Sequence, residues 1–157
     1  MNNMEKELSS EINLYRQKLQ KELKGKSFEF LGSGGLGFVF LTEYNGKKAA
    51  VKIYTDMSDF LTLPFQKEKI NLKQIKHQNL MEVYHVRPSG LIISEYCGEV
   101  SLEARTKNPK NKFLLEQNLI AYWDILKTVQ HLISQNLIHG DLKIENIFFK
   151  AHKNQPK

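Results

Sequence analysis

The chain has 157 residues, 41% hydrophobic and 25% charged, enough for one domain with a proper core and hardly more. No apolar run approaches the length of a bilayer span, and the start, Met1-Asn2-Asn3-Met4-Glu5-Lys6, lacks a signal peptide's apolar segment, which argues against a membrane role. The single cysteine, Cys97, excludes an internal disulfide framework and fits a reducing compartment, cytoplasm or nucleus.

The net charge of +6 is unevenly spread. Residues 105–157 carry nine basic against four acidic side chains, so +5 of it lies there. Such a field attracts polyanions such as nucleoside triphosphates. A solvated face with a Lys-rich tail (Lys150, Lys153, Lys157) explains it equally well. Zinc-finger spacing, a basic helix and aromatic RNA-binding motifs are all missing, so nucleic acid is not indicated as a partner.

In chain order, residues 4–24 read as a helix. Leu8, Ile12, Tyr15 and Leu19 recur at intervals of four, three and four among charged residues, and Gly25 is a plausible stop. The stripe is too short for a coiled coil and suits docking on the domain that follows. Next, Phe28-Glu29-Phe30-Leu31 and Phe38-Val39-Phe40-Leu41 flank Gly32-Ser33-Gly34-Gly35-Leu36-Gly37. Two apolar runs joined by glycines read as a hairpin, whose loop is too glycine-rich to be a tight turn alone. Glycines let backbone N–H groups approach phosphate oxygens. A dinucleotide site needs a helix directly after its glycines, whereas the residues here are strand-like.

Asn45-Gly46 signals a type I′ hairpin turn. In the returning strand, Lys47 to Tyr54, alternation puts Ala50, Lys52 and Tyr54 on one face and Val51 and Ile53 on the other. Pro64 suits a first helical turn, and Phe65, Glu68, Leu72 and Ile75 follow at helical spacing. Glu68 then lies on an apolar stripe, where burial requires a cation; at the stripe's edge it reaches water instead. Residues 80–86 and 91–97 read as two strands about a Pro/Gly turn, completing a five-stranded antiparallel sheet. His85 and His131 have no metal-site spacing and read as structural. Residues 101–112 are polar, and Pro109 and Asn111 mark a loop. The stretch 113–135 is a helix with a broad apolar face of Leu115, Leu119, Tyr122, Trp123, Leu126, Val129 and Ile133.

That helix leads to His139-Gly140-Asp141-Leu142-Lys143-Ile144-Glu145-Asn146, set between the apolar runs Leu132, Ile133, Leu137, Ile138 and Ile147, Phe148, Phe149. Flanking strands would pin this polar loop at the edge of a core. Its chemistry suits phosphoryl transfer: Asp141 can orient a hydroxyl and accept its proton, Lys143 can neutralise the moving group, and Asn146 can hold a metal ion. A polar turn in which Asp141 caps a backbone group is the plainer alternative.

The octet resembles the catalytic loop of eukaryotic-type protein kinases, matching at His139, Asp141, Leu142 and Asn146, with Lys143 in the form usual for Ser/Thr-directed members. The glycine pattern through Val39 resembles the family's nucleotide-covering loop, Ala50-Val51-Lys52 its third-strand motif, and His77-x-Asn79-Leu80 the segment after its small-lobe helix. The resemblance implies an α+β, protein-kinase-like fold. Its small lobe has five antiparallel strands and one main helix, followed by the start of a helical large lobe. The corresponding division is residues 1–25 as an N-terminal helix, 26–97 as small lobe and 98–157 as partial large lobe. It implies Mg²⁺ and ATP as cofactors, a protein substrate, and transfer to Ser or Thr hydroxyls. Gly32, Gly34, Gly35, Gly37, Val39 and Ala50 would enclose the nucleotide. Lys52, paired with Glu68, would hold its α- and β-phosphates, while Glu95 and Cys97 would offer backbone groups to adenine. Asp141, Lys143 and Asn146 would be catalytic, with Asn146 a metal ligand.

Two features depart. Gly140 replaces the usual Arg, so control through an Arg-bound activation-loop phosphate is not expected. No Asp-Phe-Gly or Ala-Pro-Glu occurs, and eleven residues follow Asn146. The expectation is an incomplete kinase domain, impaired or inactive by itself, whose helix at 113–135 is covered by a partner or a further C-terminal region. A non-catalytic pseudokinase-like module and a small-molecule kinase of related fold remain alternatives, the latter because His139-Gly140-Asp141 also resembles the aminoglycoside phosphotransferase loop.

Overall fold

A computed structural model of the chain describes residues 3–63, 72–98, 101–107 and 115–149. The chain divides into two compact units, Met1–Ile75 with Met81–Tyr96, and Lys76–Leu80 with Cys97–Lys157.

The first unit is a sheet with a helix on one face. Helix α1 (Asn3–Glu22) has Glu5 in its first turn and Lys21 in its last, each complementing the helix dipole. Gly25, at φ +74°, turns the chain just beyond it. Strands β1 (Glu29–Gly34), β2 (Gly37–Tyr44) and β3 (Lys47–Tyr54) follow as a meander. Asn45 and Gly46 both adopt the positive φ of the expected tight turn. Helix α2 (Met57–Thr62) comes next, then β4 (Val83–Arg87) and β5 (Leu91–Glu95). All pairings are antiparallel and the strand order is β1-β2-β3-β5-β4, so β5 lies between β3 and β4.

Alternation along the strands decides which face is covered. Phe38, Phe40, Ala49, Val51, Ile53, Leu91 and Ile93 form one buried face, and Leu19 and Leu23 seal it, with Ile12 and Tyr15 packed at its margin. The helix is fixed at its far end as well. Arg87 donates to the Glu22 carbonyl oxygen at 2.9 Å, and the Ser89 hydroxyl donates to the Glu22 carboxylate at 2.8 Å. The N-terminal helix therefore docks as its stripe predicts, although Leu8 stays exposed.

In the second unit, helix α3 (Leu102–Lys107) precedes the long helix α4 (Leu115–Ser134). Asn136, at φ +56°, closes α4, with its N–H on the Ile133 carbonyl and that of Leu137 on Leu132. A bridge between Ser101 and Phe148 and a 2.8 Å bond from Leu102 N–H to the Ile147 carbonyl tie α3 to the chain after the octet.

Several expectations are corrected. The glycine stretch is a tight turn after all: β1 and β2 pair down to Gly34 opposite Gly37, and Gly35-Leu36 alone closes the hairpin. The run before the octet is not a strand, since Leu132 and Ile133 belong to α4 and Ile138 is 91% exposed. Residues 102–107 are helical rather than loop, because the Ser101 hydroxyl caps Ala104 N–H at 3.2 Å and Glu103 pairs with Lys107 one turn on. Helix α2 went unread, though the Asp56 carboxylate is an N-cap, accepting from Ser58 N–H at 2.7 Å. Of the helix expected over Pro64–Ile75, residues 64–71 lie outside those described. Leu72 is in a turn and Ile75 beyond it, where no further apolar repeat sustains a helix. Among the described residues no helix is long and apolar enough to cross a membrane.

Candidate active site

The candidate residues are divided between the two units. In the first, the glycines differ in what the fold asks of them. A Cβ on Gly37 would overlap the Ile53 carbonyl oxygen and stand 3.0 Å from Tyr54 Cα, and its φ of +148° suits only glycine. This bare backbone lets β2 lie against the end of β3. At Gly32, Gly34 and Gly35 a Cβ would meet nothing within 4 Å. Packing among the described residues does not explain those three, whereas close approach of a ligand to their N–H groups would.

Register brings the next residues together. Val39 faces Lys52, which faces Ile92, and Leu41 faces Ala50, which faces Ser94. Residues opposite one another share a face, here the one turned away from α1. Lys52 Nζ sits 4.6 Å from the centre of the Tyr54 ring. Burial raises the Tyr54 phenol above its ordinary pKa, keeping it a neutral neighbour. Glu68 lies outside the described residues, and with it the expected Lys52–Glu68 pair. Ser94 is buried. Glu95 N–H donates to the Glu82 carbonyl at 2.8 Å, so a contact from Glu95's backbone to a ligand has to use its carbonyl. Cys97 begins the second unit's main segment and is half-buried.

In the second unit the octet is exposed and internally tied. Gly140, at φ +76°, turns the chain between His139 and Asp141, and Ile144–Asn146 form one 3₁₀ turn. Lys143 Nζ lies 3.0 Å from one Asp141 carboxylate oxygen, and Asn146 Nδ2 donates to the other at 2.8 Å and to the Asp141 carbonyl at 2.9 Å. Lys143 and Asn146 thus both contact Asp141. The Lys143 hydrogen bond above all, then that from Asn146, with the charges of Lys143 and His139 adding, hold the Asp141 carboxyl below the usual carboxylate range. The Asp141 carboxylate takes two side chains, Lys143 and Asn146, as partners, where the plainer reading had it cap a backbone group.

Local pattern assigns His77-x-Asn79-Leu80 no partners, and the structure supplies them. Asn79 Nδ2 donates to the Asp124 carbonyl on α4 at 3.3 Å, His77 stacks on His131 with ring centres 4.8 Å apart, and the Thr128 hydroxyl lies 3.4 Å from His77 Nδ1. These contacts span about fifty positions, beyond any local pattern. Among the described residues no three His, Cys, Asp or Glu side chains gather as a metal site.

The model of the protein kinase domain matches residues 26–157. The chain is 30% identical over 132 residues to the mitogen-activated protein kinase kinase kinase dlk-1 of Caenorhabditis briggsae, covering 80% of this chain and 14% of that protein. It is 31% identical over 134 residues to the maternal embryonic leucine zipper kinase of Xenopus laevis, covering 80% and 20%. A probable serine/threonine-protein kinase of Dictyostelium discoideum, gdt4, is 27% identical over 149 residues, covering 92% and 8%. The chain thus spans a fifth or less of the length of these curated relatives. Glycine hairpin, third-strand lysine and the octet His139–Asn146, in this order on a five-stranded sheet and a helical unit, agree with that match, and the chain belongs to the protein kinase domain family.

Proposed function

We propose that this chain provides the nucleotide cover and catalytic loop of a protein Ser/Thr kinase, which transfers the γ-phosphoryl of ATP to a protein hydroxyl. The observation that carries it is the exposed Asp141 carboxylate held between Lys143 Nζ and Asn146 Nδ2. That clamp aims a carboxylate at solvent with an ammonium beside it, the pair needed where a hydroxyl loses a proton and a phosphoryl group gains a bond. With its pKa lowered, Asp141 is ionised at neutral pH and a weak base. It therefore orients the hydroxyl first and takes the proton as the new P–O bond forms. Lys143 offsets charge on the moving group. Gly32, Gly34 and Gly35 present bare backbone to the phosphates, Val39 and Ala50 enclose the base, and Lys52 binds the α- and β-phosphates. Glu95, through its carbonyl, and Cys97 meet adenine.

Protein kinases use ATP, typically with Mg²⁺. Asn146 fits a metal ligand, because its amide nitrogen is turned to Asp141 and its Oδ1 is left as the acceptor a hard cation takes. When bound, Mg²⁺ neutralises phosphate charge. Nucleotide binding without efficient transfer is the second reading, and the assays below separate it from the first.

Titration with a fluorescent ATP analogue, followed by transfer assays on peptide and small-alcohol acceptors, tests both. Lys52→Ala should weaken nucleotide binding by roughly ten- to a hundredfold, the loss of one charge-assisted contact. Asp141→Asn should abolish any transfer while leaving binding intact. A chain that binds no nucleotide would sink the proposal, and binding without transfer would favour the second reading. Preference for small alcohols would favour a small-molecule kinase.

A further inference from the structure

Helix α1 lies wholly outside the family match, which begins at residue 26, yet Leu19 and Leu23 complete the core of the first unit. The helix is thus part of the sheet's interior while not part of the domain that defines the family. Its contact with β2 falls at one place that matters. The Tyr15 ring stacks on Phe38, centres 4.8 Å apart and planes 25° from parallel. Phe38 is the residue after Gly37, where the glycine turn rejoins the sheet. It is 5% exposed, so Tyr15 helps keep it dry.

The stack continues into both arms of the hairpin. Phe38 meets Phe30 of β1 at 6.2 Å, and Phe30 meets Phe40 of β2 edge-on at 5.7 Å. Four rings from α1, β1 and β2 therefore back the hairpin on the face opposite Val39, Ala50 and Lys52. Gly32, Gly34 and Gly35 have open space where side chains would be, and Gly35-Leu36 joins the arms alone. Bare backbone of this kind holds one shape only if something behind it does. On the turn itself, the Leu36 carbonyl accepts from Thr55 N–H at 3.4 Å.

We propose that α1 is a built-in buttress of the glycine turn, with Tyr15, stacked on Phe38, the positioning residue that fixes the turn for the nucleotide. Tyr15 touches no nucleotide and acts through Phe38. The nucleotide half of this statement rests on the function proposed above; the mechanical half does not.

Amide hydrogen exchange across residues 34–38 and titration with the fluorescent ATP analogue, both on the full chain, test it. Tyr15→Ala should speed exchange at 34–38 and raise the analogue's dissociation constant about two- to tenfold, the worth of one aromatic pair. Tyr15→Phe, which keeps the ring, should restore both. Tyr84→Ala is the control, because it removes another stacked pair on the same sheet, Tyr44 with Tyr84 at 5.9 Å, away from the turn. It should change neither readout. If Tyr15→Ala does not fold, Tyr15→Leu, which keeps apolar cover without the stack, should show the same acceleration. Unchanged exchange at 34–38 in the folded Tyr15 variant, or equal acceleration in Tyr84→Ala, overturns the buttress. Faster exchange in a chain that binds no nucleotide supports the buttress while removing the function proposed above.

Discussion

Replacing Gly37 by alanine separates the structural glycine of the hairpin from the others. The new Cβ would overlap the Ile53 carbonyl oxygen, with Ile53 C and Tyr54 Cα each 3.0 Å away. All three are backbone atoms of β3, which Ile53 and Tyr54 anchor in the core, so no rotamer change makes room. Strained φ and overpacking together cost roughly 2–5 kcal/mol. For a unit of this size that lowers the melting temperature by about 10 °C or more. Gly34→Ala meets nothing within 4 Å and needs no positive φ, so the same Cβ there should leave stability unchanged or raise it by about 0.4–1 kcal/mol. The assay is thermal and urea unfolding of both variants, followed by titration with the ATP analogue. The expected pattern is a destabilised Gly37→Ala and a stable Gly34→Ala with weakened nucleotide binding. A Gly37→Ala chain that melts with the wild type, or a Gly34→Ala chain that falls as far, would refute the reasoning.

Three further outcomes follow from the same geometry. The Asp141 carboxyl is held below its ordinary pKa by Lys143 and Asn146, so the loop's support is present above the unfolded carboxyl's pKa and is lost as pH falls through the lowered folded one. Carbon-detected NMR titration should show this, and Lys143→Ala should move the midpoint up; an unmoved midpoint contradicts the ion pair. Leu19 is fully buried, so Leu19→Ala should cost about 2–5 kcal/mol in urea unfolding although it precedes the family match. A loss under half a kilocalorie, about the size of an ordinary surface substitution, would mean α1 is not docked. Trp123, the chain's one tryptophan, is 58% exposed, so acrylamide should quench its fluorescence efficiently in the folded chain. Strong protection would contradict the exposed face of α4.

Local chemistry made much of this legible. Alternation in residues 47–54 divided the faces of β3 correctly, and Asn45-Gly46 marked its turn. Reading failed where short elements rest on a single cap. Helices α2 and α3 have six residues each and little or no buried surface, so no apolar period announces them; Asp56 and Ser101 were the available signals. The glycine loop misled for another reason. Composition says where backbone freedom is allowed, whereas the two-residue closure depends on how far β1 and β2 keep pairing.

Periodicity and turn chemistry act over a few residues, and that range sufficed for the succession of strands, the glycine and lysine motifs and the kinase resemblance. The entry of β5 between β3 and β4, the backing of the glycine hairpin by α1, and the packing that keeps Gly37 bare, unlike its neighbours, emerge only from the folded chain. Those facts depend on which surfaces meet across dozens of residues, where burial and backbone proximity select among arrangements that local pattern leaves equal.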